Sequence, residues 1–498
     1  MSRFVIGIDV GTTCTKALVV DEQGTVIRQG SKGYDLISSG SCIEQRAQDW
    51  NAAVAAAVRQ AVAGIDPNLV AAISFSTQGG STVALDQNGQ FLGNAWTWMD
   101  SRSAEEADAV EQEVGGDYIY RTTGWRINPA LDAAKIRRMR SMPEYAGAVR
   151  YLTTLEVVNE FLTGHPVIDP TNAAMRQLYS VAANDWDPVM LKAAGITREA
   201  LPQVTPTGAL VGALLPEAAE AMGLIPGIPV YNGAHDQYCA SIGAGAVHDG
   251  DMLLSAGTTW VLMGVGKKPM FTSTFVAPGK HPVEGLYGAI ASLVCSGASL
   301  QWFKNNFLPE EFDEMNRVVA QRQDKAKDLF FYPYMAGANY PLWVPNARGA
   351  FQGITLEHDR FDFARAIMEG VAFGVRRAVE DFRRNGCEIQ AITMMGGAAK
   401  SPVWMQMISS VTGVSILRLN QADVCALGAA AIAACGAGIY AGYADAARAM
   451  VHTETVYEPI PREVAAYGQK FRNFVRMWEH IQTYYAEDNG CTKGEAHP

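Results

Sequence analysis

Basic charge is scarce in this chain. Its 40 Lys and Arg stand against 51 Asp and Glu, a formal net charge of −11. No stretch gathers cations as a nucleic-acid surface requires, so a nucleic-acid partner is not expected. Paired cysteines are missing too. The eight (Cys14, Cys42, Cys239, Cys295, Cys387, Cys425, Cys435 and Cys491) show neither C-x-x-C pairs nor a metal-ligand spacing with histidine, and most lie in apolar or Gly/Ala surroundings. No run has membrane length: the most lipid-like stretch, residues 424–440, is mostly Ala and Gly and falls short of the roughly 20 residues a span needs. It reads as a tightly packed buried helix. A strand-like run begins within three residues of the start and leaves no room for a signal peptide, so a reduced, cytoplasmic setting is expected.

The remaining composition is that of a compact α/β protein. At 498 residues the chain exceeds what one core organises, and two or more domains are expected. Phe4–Val10 and residues 16–21 read as strands, and residues 47–63 as an amphipathic helix with Trp50, Ala53, Val54, Ala57, Val58 and Ala61 at helical spacing. A buried strand follows over residues 70–76, then a hairpin around Gln87-Asn88-Gly89. The pattern restarts near Ile228, runs through a strand at Ala391–Met395 flanked by helices over 361–383 and 402–412, and closes with a helix over 464–485 and a frayed tail after Glu487. No low-complexity linker separates the halves. The boundary is expected near 246–250, giving units 1–247 and 248–498 joined by a hinge rather than a tether.

Two Gly-Thr-Thr turns carry the chemistry. Gly11-Thr12-Thr13 follows the first strand and Gly257-Thr258-Thr259 follows the apolar run from Met252 to Ala256. Such turns present backbone N–H groups and hydroxyls outward, which suits phosphate oxygens. Asp9, beside the first turn, would repel phosphate unless a cation intervened. It is therefore a candidate Mg2+ residue, the alternative being a strand-end Asp that caps its own turn. Lys16 brings a cation within reach of the same turn. Asp236, in Gly233-Ala-His-Asp-Gln-Tyr238, lies at the start of a small-residue helix whose dipole favours a carboxylate. There it suits a general base for phosphoryl transfer, or else simply caps the helix. His235 is expected to orient this turn. A third strand-Gly-helix turn, Gly396-Gly397-Ala-Ala-Lys400, fits an adenine or ribose, or a plain connection.

These residues resemble the FGGY carbohydrate kinases, within the wider group of sugar kinases, heat-shock chaperone ATPases and actin. The likeness runs nearly end to end and is most specific over residues 349–369, with support from Trp98-Met-Asp100-Ser-Arg102 and Ser296-Gly297-Ala-Ser-Leu-Gln301. It implies an α/β fold of two actin-like (ribonuclease H-like) lobes, each a mixed five-stranded sheet flanked by helices, with a cleft between them. It further implies ATP and Mg2+ as cofactors, a small sugar or polyol as acceptor, a homodimer as a common assembly, and Asp236 as the base. By the same resemblance Gly11, Thr12, Thr13, Lys16, Gly257, Thr258, Gly297, Gln301, Gly396, Gly397 and Lys400 would bind nucleotide. Gln78, Gly79, Gly80, Asp100 and Gln237 would join Asp236 around the acceptor.

The acceptor region departs from that pattern. Xylulose kinases carry Met-His-Gly where Gly79-Gly80-Ser81 stands here, with Gly80 in place of the histidine that touches the sugar. Glycerol kinases carry Arg-Glu at Gly79-Gly80. Two glycines imply a shallow, polar-poor wall open to a bulkier substrate, with Trp96, Trp98 and Trp125 as a stacking wall or as core. Gly337-Ala338-Asn339 departs from the usual Gly-Glu-Arg. A ketose such as a pentulose is the leading acceptor; hexuloses, tetritols, pentitols and a linear signalling diketone remain open. A nucleotide-gated binding protein of the chaperone or actin type is the other class of reading.

Overall fold

The computed structural model describes residues 3–272, 276–322, 329–338, 340–341, 343–420 and 423–487. Asn339 and the tail after Glu487 lie outside them. The first Gly-Thr-Thr joins Phe4–Val10 to Cys14–Asp21 as an antiparallel pair, and Phe4–Val10 also runs parallel to Val70–Thr77. The second repeats the arrangement. Asp251–Ala256 pairs antiparallel with Trp260–Gly266 and parallel with Ala391–Met395. Each half therefore carries the same three-strand motif, with its Gly-Thr-Thr at the same corner.

Both sheets have seven strands rather than five. In the first, the surplus comes from short pieces: Leu210–Ala213 pairs Pro229–Tyr231, and the two-residue strand Ala234–His235 lies along Val70–Thr77. Such two- to four-residue strands carry too little periodicity to be read from sequence. The hairpin around Gln87-Asn88-Gly89 forms as Thr82–Leu85 and Phe91–Trp96, in a separate five-stranded sheet that also takes in Arg150–Thr153. Helix Ala47–Ala61 buries all six of the residues marked out by their spacing.

Three apolar clusters organise the molecule. One fills each half, and a third lies between them, drawing Val5, Leu18 and Ala72 from one side and Leu253, Met263 and Leu427 from the other. At its centre, helix Val424–Gly436 crosses Asp236–Gly243 and packs on the first sheet. The crossing is close because it is made by small residues: a Cβ on Gly428 would stand 1.9 Å from the carbonyl oxygen of Cys239. Within the segment 424–440, Val424–Gly436 is thus the buried, Gly/Ala-rich helix its composition indicates, and the last four residues lie beyond its end. Among the described residues no helix is long and apolar enough to cross a membrane.

The family-like stretch 349–369 builds architecture. It forms the strand Ala350–Gln352 and opens helix Arg360–Arg384, where Asp359 and Asp362 make a capping box. Further along the helix Arg365 bonds Glu369 at 2.8 Å, and Lys470 of helix Pro461–Glu487 reaches the same carboxylate at 2.6 Å.

Candidate active site

The parallel strands Phe4–Val10, Val70–Thr77 and Ala234–His235 end side by side. Asp9 stands opposite Ser76, Ser76 opposite Ala234, and Thr77 opposite His235. Ligands in open α/β sheets lie beyond such carboxyl ends. Asp9 accepts from Ser76 Oγ at 2.8 Å. Burial raises its carboxyl to about 7; the Ser76 bond opposes this, and Asp236 and Asp423 nearby add to it. Lys16, the antiparallel neighbour of Asp9, turns its ammonium to Asp423 at the head of helix Val424–Gly436. Its charge ties that helix to the first sheet beside the first Gly-Thr-Thr turn.

The first turn is held from behind and open in front. Tyr34 Oη donates to the Gly11 carbonyl and Gln45 Nε2 to the Thr12 carbonyl, while Gly11 N donates to Cys14 O at 3.1 Å. Trp98, half exposed, donates its indole N–H to Thr12 Oγ1 at 3.0 Å. Of the three tryptophans proposed as a wall, only Trp98 reaches the turn this way. Trp96 is core, stacked under the Arg102 guanidinium at 4.1 Å, and Trp125 packs with the inter-lobe cluster.

Beyond these strand ends, Gln78 and the consecutive residues His235, Asp236 and Gln237 each leave a buried polar atom without a hydrogen-bond partner. They are Gln78 Oε1, His235 Nδ1, Asp236 Oδ1 and Gln237 Oε1. Buried polar atoms are nearly always paired, so these four are candidates for contact with a second molecule. Gln78 is fixed by its other end, Nε2 donating to Gln45 Oε1 at 2.7 Å. Asp236 opens the helix Asp236–Gly243, the position expected of it.

The glycine wall is not shallow. A Cβ on Gly79 would stand 2.6 Å from His235 Cδ2 and 2.9 Å from Met175 Cγ. One on Gly80, whose φ is +67°, would meet Leu131 and the Trp98 Cβ. Neighbouring side chains fill the room that the glycines vacate. Asp100 also differs from its expected place. It is fully buried, and its carboxylate takes the Ile43 N–H at 2.8 Å and the Arg102 guanidinium at 2.6–3.0 Å, which leaves it framework for the Trp98 turn.

One buried residue had no sequence signal. Lys135 lies within helix Asp132–Ser141 and donates to the carbonyls of Gly80 at 2.7 Å, Trp96 at 3.0 Å and Thr97 at 2.7 Å. It thereby ties both acceptor-side segments together. Burial pushes its ammonium down to about 8.

In the second lobe a cavity of about 620 Å3 gathers Gly257, Thr258, Gly297, Gln301, Gly397 and Lys400. Gly396 stands just behind, with φ +92° and no room for a Cβ against Ala256. The second Gly-Thr-Thr is pinned to helix Ser296–Phe307 by Ala298 N donating to Thr258 O at 3.1 Å. Phe312, Met315 and Asn316, from a helix with no glycine turn to flag it, also line the space, as does Trp404. Gly11, Thr12, Thr13 and Lys16 belong to the first-lobe edge and not to this cavity.

Comparison with known proteins agrees with this geometry. Residues 4–243 match the N-terminal domain, and residues 252–437 the C-terminal domain, of the FGGY family of carbohydrate kinases. The xylulose kinase of Bacillus subtilis (strain 168) is 28% identical over 498 residues, covering 99% of both chains. The gluconokinase of the same organism is also 28% identical, over 513 residues and 98% of each. The crystal structure of gluconate kinase from Lactobacillus acidophilus superposes with a TM-score of 0.92 at 25% identity, over 98% of this chain and all of that one. The chain belongs to the FGGY family of carbohydrate kinases and is a sugar kinase whose phosphate donor is ATP.

Proposed function

We propose that this kinase phosphorylates a hydroxyl of a neutral open-chain ketose, a pentulose first among the candidates, with Asp236 as general base and Mg2+ as its metal. The observation that carries the reading is the set of unpartnered buried acceptors on and beside the segment that carries Asp236: the amide oxygens of Gln78 and Gln237 and the imidazole Nδ1 of His235. Those groups pair with hydroxyls. They supply no cation for a substrate carboxylate, which favours a ketose over gluconate although the chain is as similar to a gluconokinase as to a xylulose kinase.

The reaction joins the acceptor oxygen to the γ-phosphorus and breaks the bond from that phosphorus to the β–γ bridging oxygen, releasing ADP. Asp236 takes the hydroxyl proton as the new bond forms. Gln78 and Gln237 orient neighbouring hydroxyls. Thr12, Thr13, Thr258 and the backbone N–H groups of both Gly-Thr-Thr turns stabilise charge on the phosphoryl oxygens, while Gly297, Gly397, Lys400 and Asn316 hold the nucleotide. Approach of the two lobes excludes water from competing as acceptor.

The residues present suit Mg2+. Among the described residues no three His, Cys, Asp or Glu side chains form a metal cage. Mg2+ is commonly held by one or two carboxylates, with waters and phosphates completing its shell. We assign Asp9 to this role: burial raises its carboxyl to about 7, and a cation would offset that cost of carrying charge. Held by Asp9, Mg2+ would offset the negative charge of the phosphates.

We place the lobe boundary at 247/248, a choice supported by the gap between the two family matches, and the protein in the cytoplasm, supported by the free state of all seven described cysteines. The deciding experiment is a coupled ADP-release screen over pentuloses, hexuloses, tetritols, pentitols, gluconate and the signalling diketone. A pentulose giving the highest kcat/KM supports the assignment. Preference for gluconate would replace it, and ATP hydrolysis indifferent to every acceptor would favour a nucleotide-gated binding protein.

A further inference from the structure

The slot beside Gly79 is occupied by a side chain from a different strand. His235 ends Ala234–His235, and its imidazole lies where a side chain at position 79 would project. The side chain is 7% exposed and its Nδ1 has no partner. Its Nε2 lies 3.2 Å from Asp236 Oδ1, itself a buried oxygen with no aligned donor. Two adjacent residues thus bury a donor and an acceptor within reach of each other, short of the alignment a hydrogen bond needs. Such bonds in ligand-free active sites are often long or skewed and tighten in the reactive complex. The His235 backbone is already fixed, its N–H donating to Thr171 Oγ1 at 2.8 Å, and Met175 shares the slot wall.

We infer that His235 is a positioning residue for this kinase: Gly79 clears the slot for its imidazole, whose Nε2–H holds Asp236 Oδ1 and aims the other carboxylate oxygen at the acceptor hydroxyl. This rests on Asp236 being the base. The bond fixes the imidazole in its Nε2–H tautomer and leaves Nδ1 as an acceptor. The proton taken from substrate stays on Asp236. The imidazole gains and loses none, so the step balances as in the reaction above. It also gives Gly79 a reason that pocket size does not: any larger residue there displaces the histidine. Sequence reading assigns His235 only the turn, because the slot is formed by packing between strands far apart in the chain.

The test uses His235→Gln, which keeps an N–H able to reach Oδ1, His235→Leu, which fills the slot without one, Gly79→Ala, and the double variant Gly79→Ala/His235→Ala beside His235→Ala. Each is assayed for kcat, acceptor KM, Mg-ATP KM and thermal midpoint, with Asp236→Asn alongside. His235→Leu should lower kcat by about 10- to 100-fold, the scale of a misplaced reacting group, with Mg-ATP KM and thermal midpoint close to wild type. His235→Gln should recover most of that loss. Gly79→Ala should impair wild type yet add nothing to His235→Ala. Wild-type kcat in His235→Leu, equal losses in the Leu and Gln variants, or additive Gly79 and His235 effects would each overturn the inference. Full turnover by Asp236→Asn would instead overturn the base assignment. A large loss there with an unaffected His235→Leu would sink only the role of the histidine.

Discussion

Asp9 offers a quantitative test of the metal assignment. Burial raises its carboxyl to about 7, so protons would compete there with the proposed Mg2+. At pH 6 about one such carboxyl in ten is ionised and at pH 8 about nine in ten, so the intrinsic affinity for the metal should rise about tenfold across that window. The sign for folding runs the other way. The folded value lies above the ordinary 3.8, so the stability due to this group is fully present below about 4 and is lost as pH rises through 7. Mg-nucleotide should restore it. The assay is a Mg2+ titration of Mg-ADP binding at pH 6, 7 and 8, read by tryptophan fluorescence, since Trp404 lines the second-lobe cavity proposed for the nucleotide. Asp9→Asn serves as reference, because it shares the nucleotide's own protonation but has no titrating carboxyl. The wild-type slope should exceed that of Asp9→Asn by about tenfold over the two pH units. Parallel slopes, or a wild-type affinity flat from pH 6 to 8, would refute the reasoning.

Packing sets three further outcomes. Lys135→Met should raise acceptor KM by about tenfold while leaving Mg-ATP KM unchanged, because the three carbonyls it holds belong to the acceptor wall. In the wild type the same KM should climb above pH 8, where the neutral amine keeps two N–H groups for three carbonyls. Steady-state kinetics across pH check both; an acceptor KM flat to pH 9.5, well above about 8, would count against the clamp. Gly428→Ala should cost at least ~3 kcal/mol by denaturant unfolding, since its Cβ would fall 1.9 Å from a backbone oxygen of the crossing helix. A loss under ~1 kcal/mol would mean that the helices part easily.

What the sequence made legible was whatever local chemistry enforces. The Gly-Thr-Thr turns were legible as strand ends, and each does join an antiparallel pair, because an apolar run that stops at glycine is a local signal. Helix Ala47–Ala61 announced itself by its spacing, and Asp236 by standing ahead of a small-residue helix. The acceptor wall was misread for the opposite reason. Gly79 and Gly80 look like vacant space when read along the chain, but His235, Met175, Leu131 and Trp98 arrive from elsewhere to fill it. Lys135 was invisible because a lysine among Asp132-Ala-Ala-Lys-Ile-Arg137 resembles a surface residue until three carbonyls close over it. Asp100 was placed by its motif in the substrate pocket, whereas Arg102 and the Ile43 N–H claim its carboxylate. Phe312 and Asn316 enter the nucleotide cavity from a helix whose only sequence feature is amphipathicity.

The central claim is that Asp236 removes the acceptor proton. Asp236→Asn, assayed with the best acceptor from the screen, tests it most directly. Turnover should fall by at least ~100-fold while Mg-ATP affinity stays within about twofold of wild type, since the amide keeps the shape but cannot accept the proton. Turnover near wild type at normal nucleotide affinity would contradict the account.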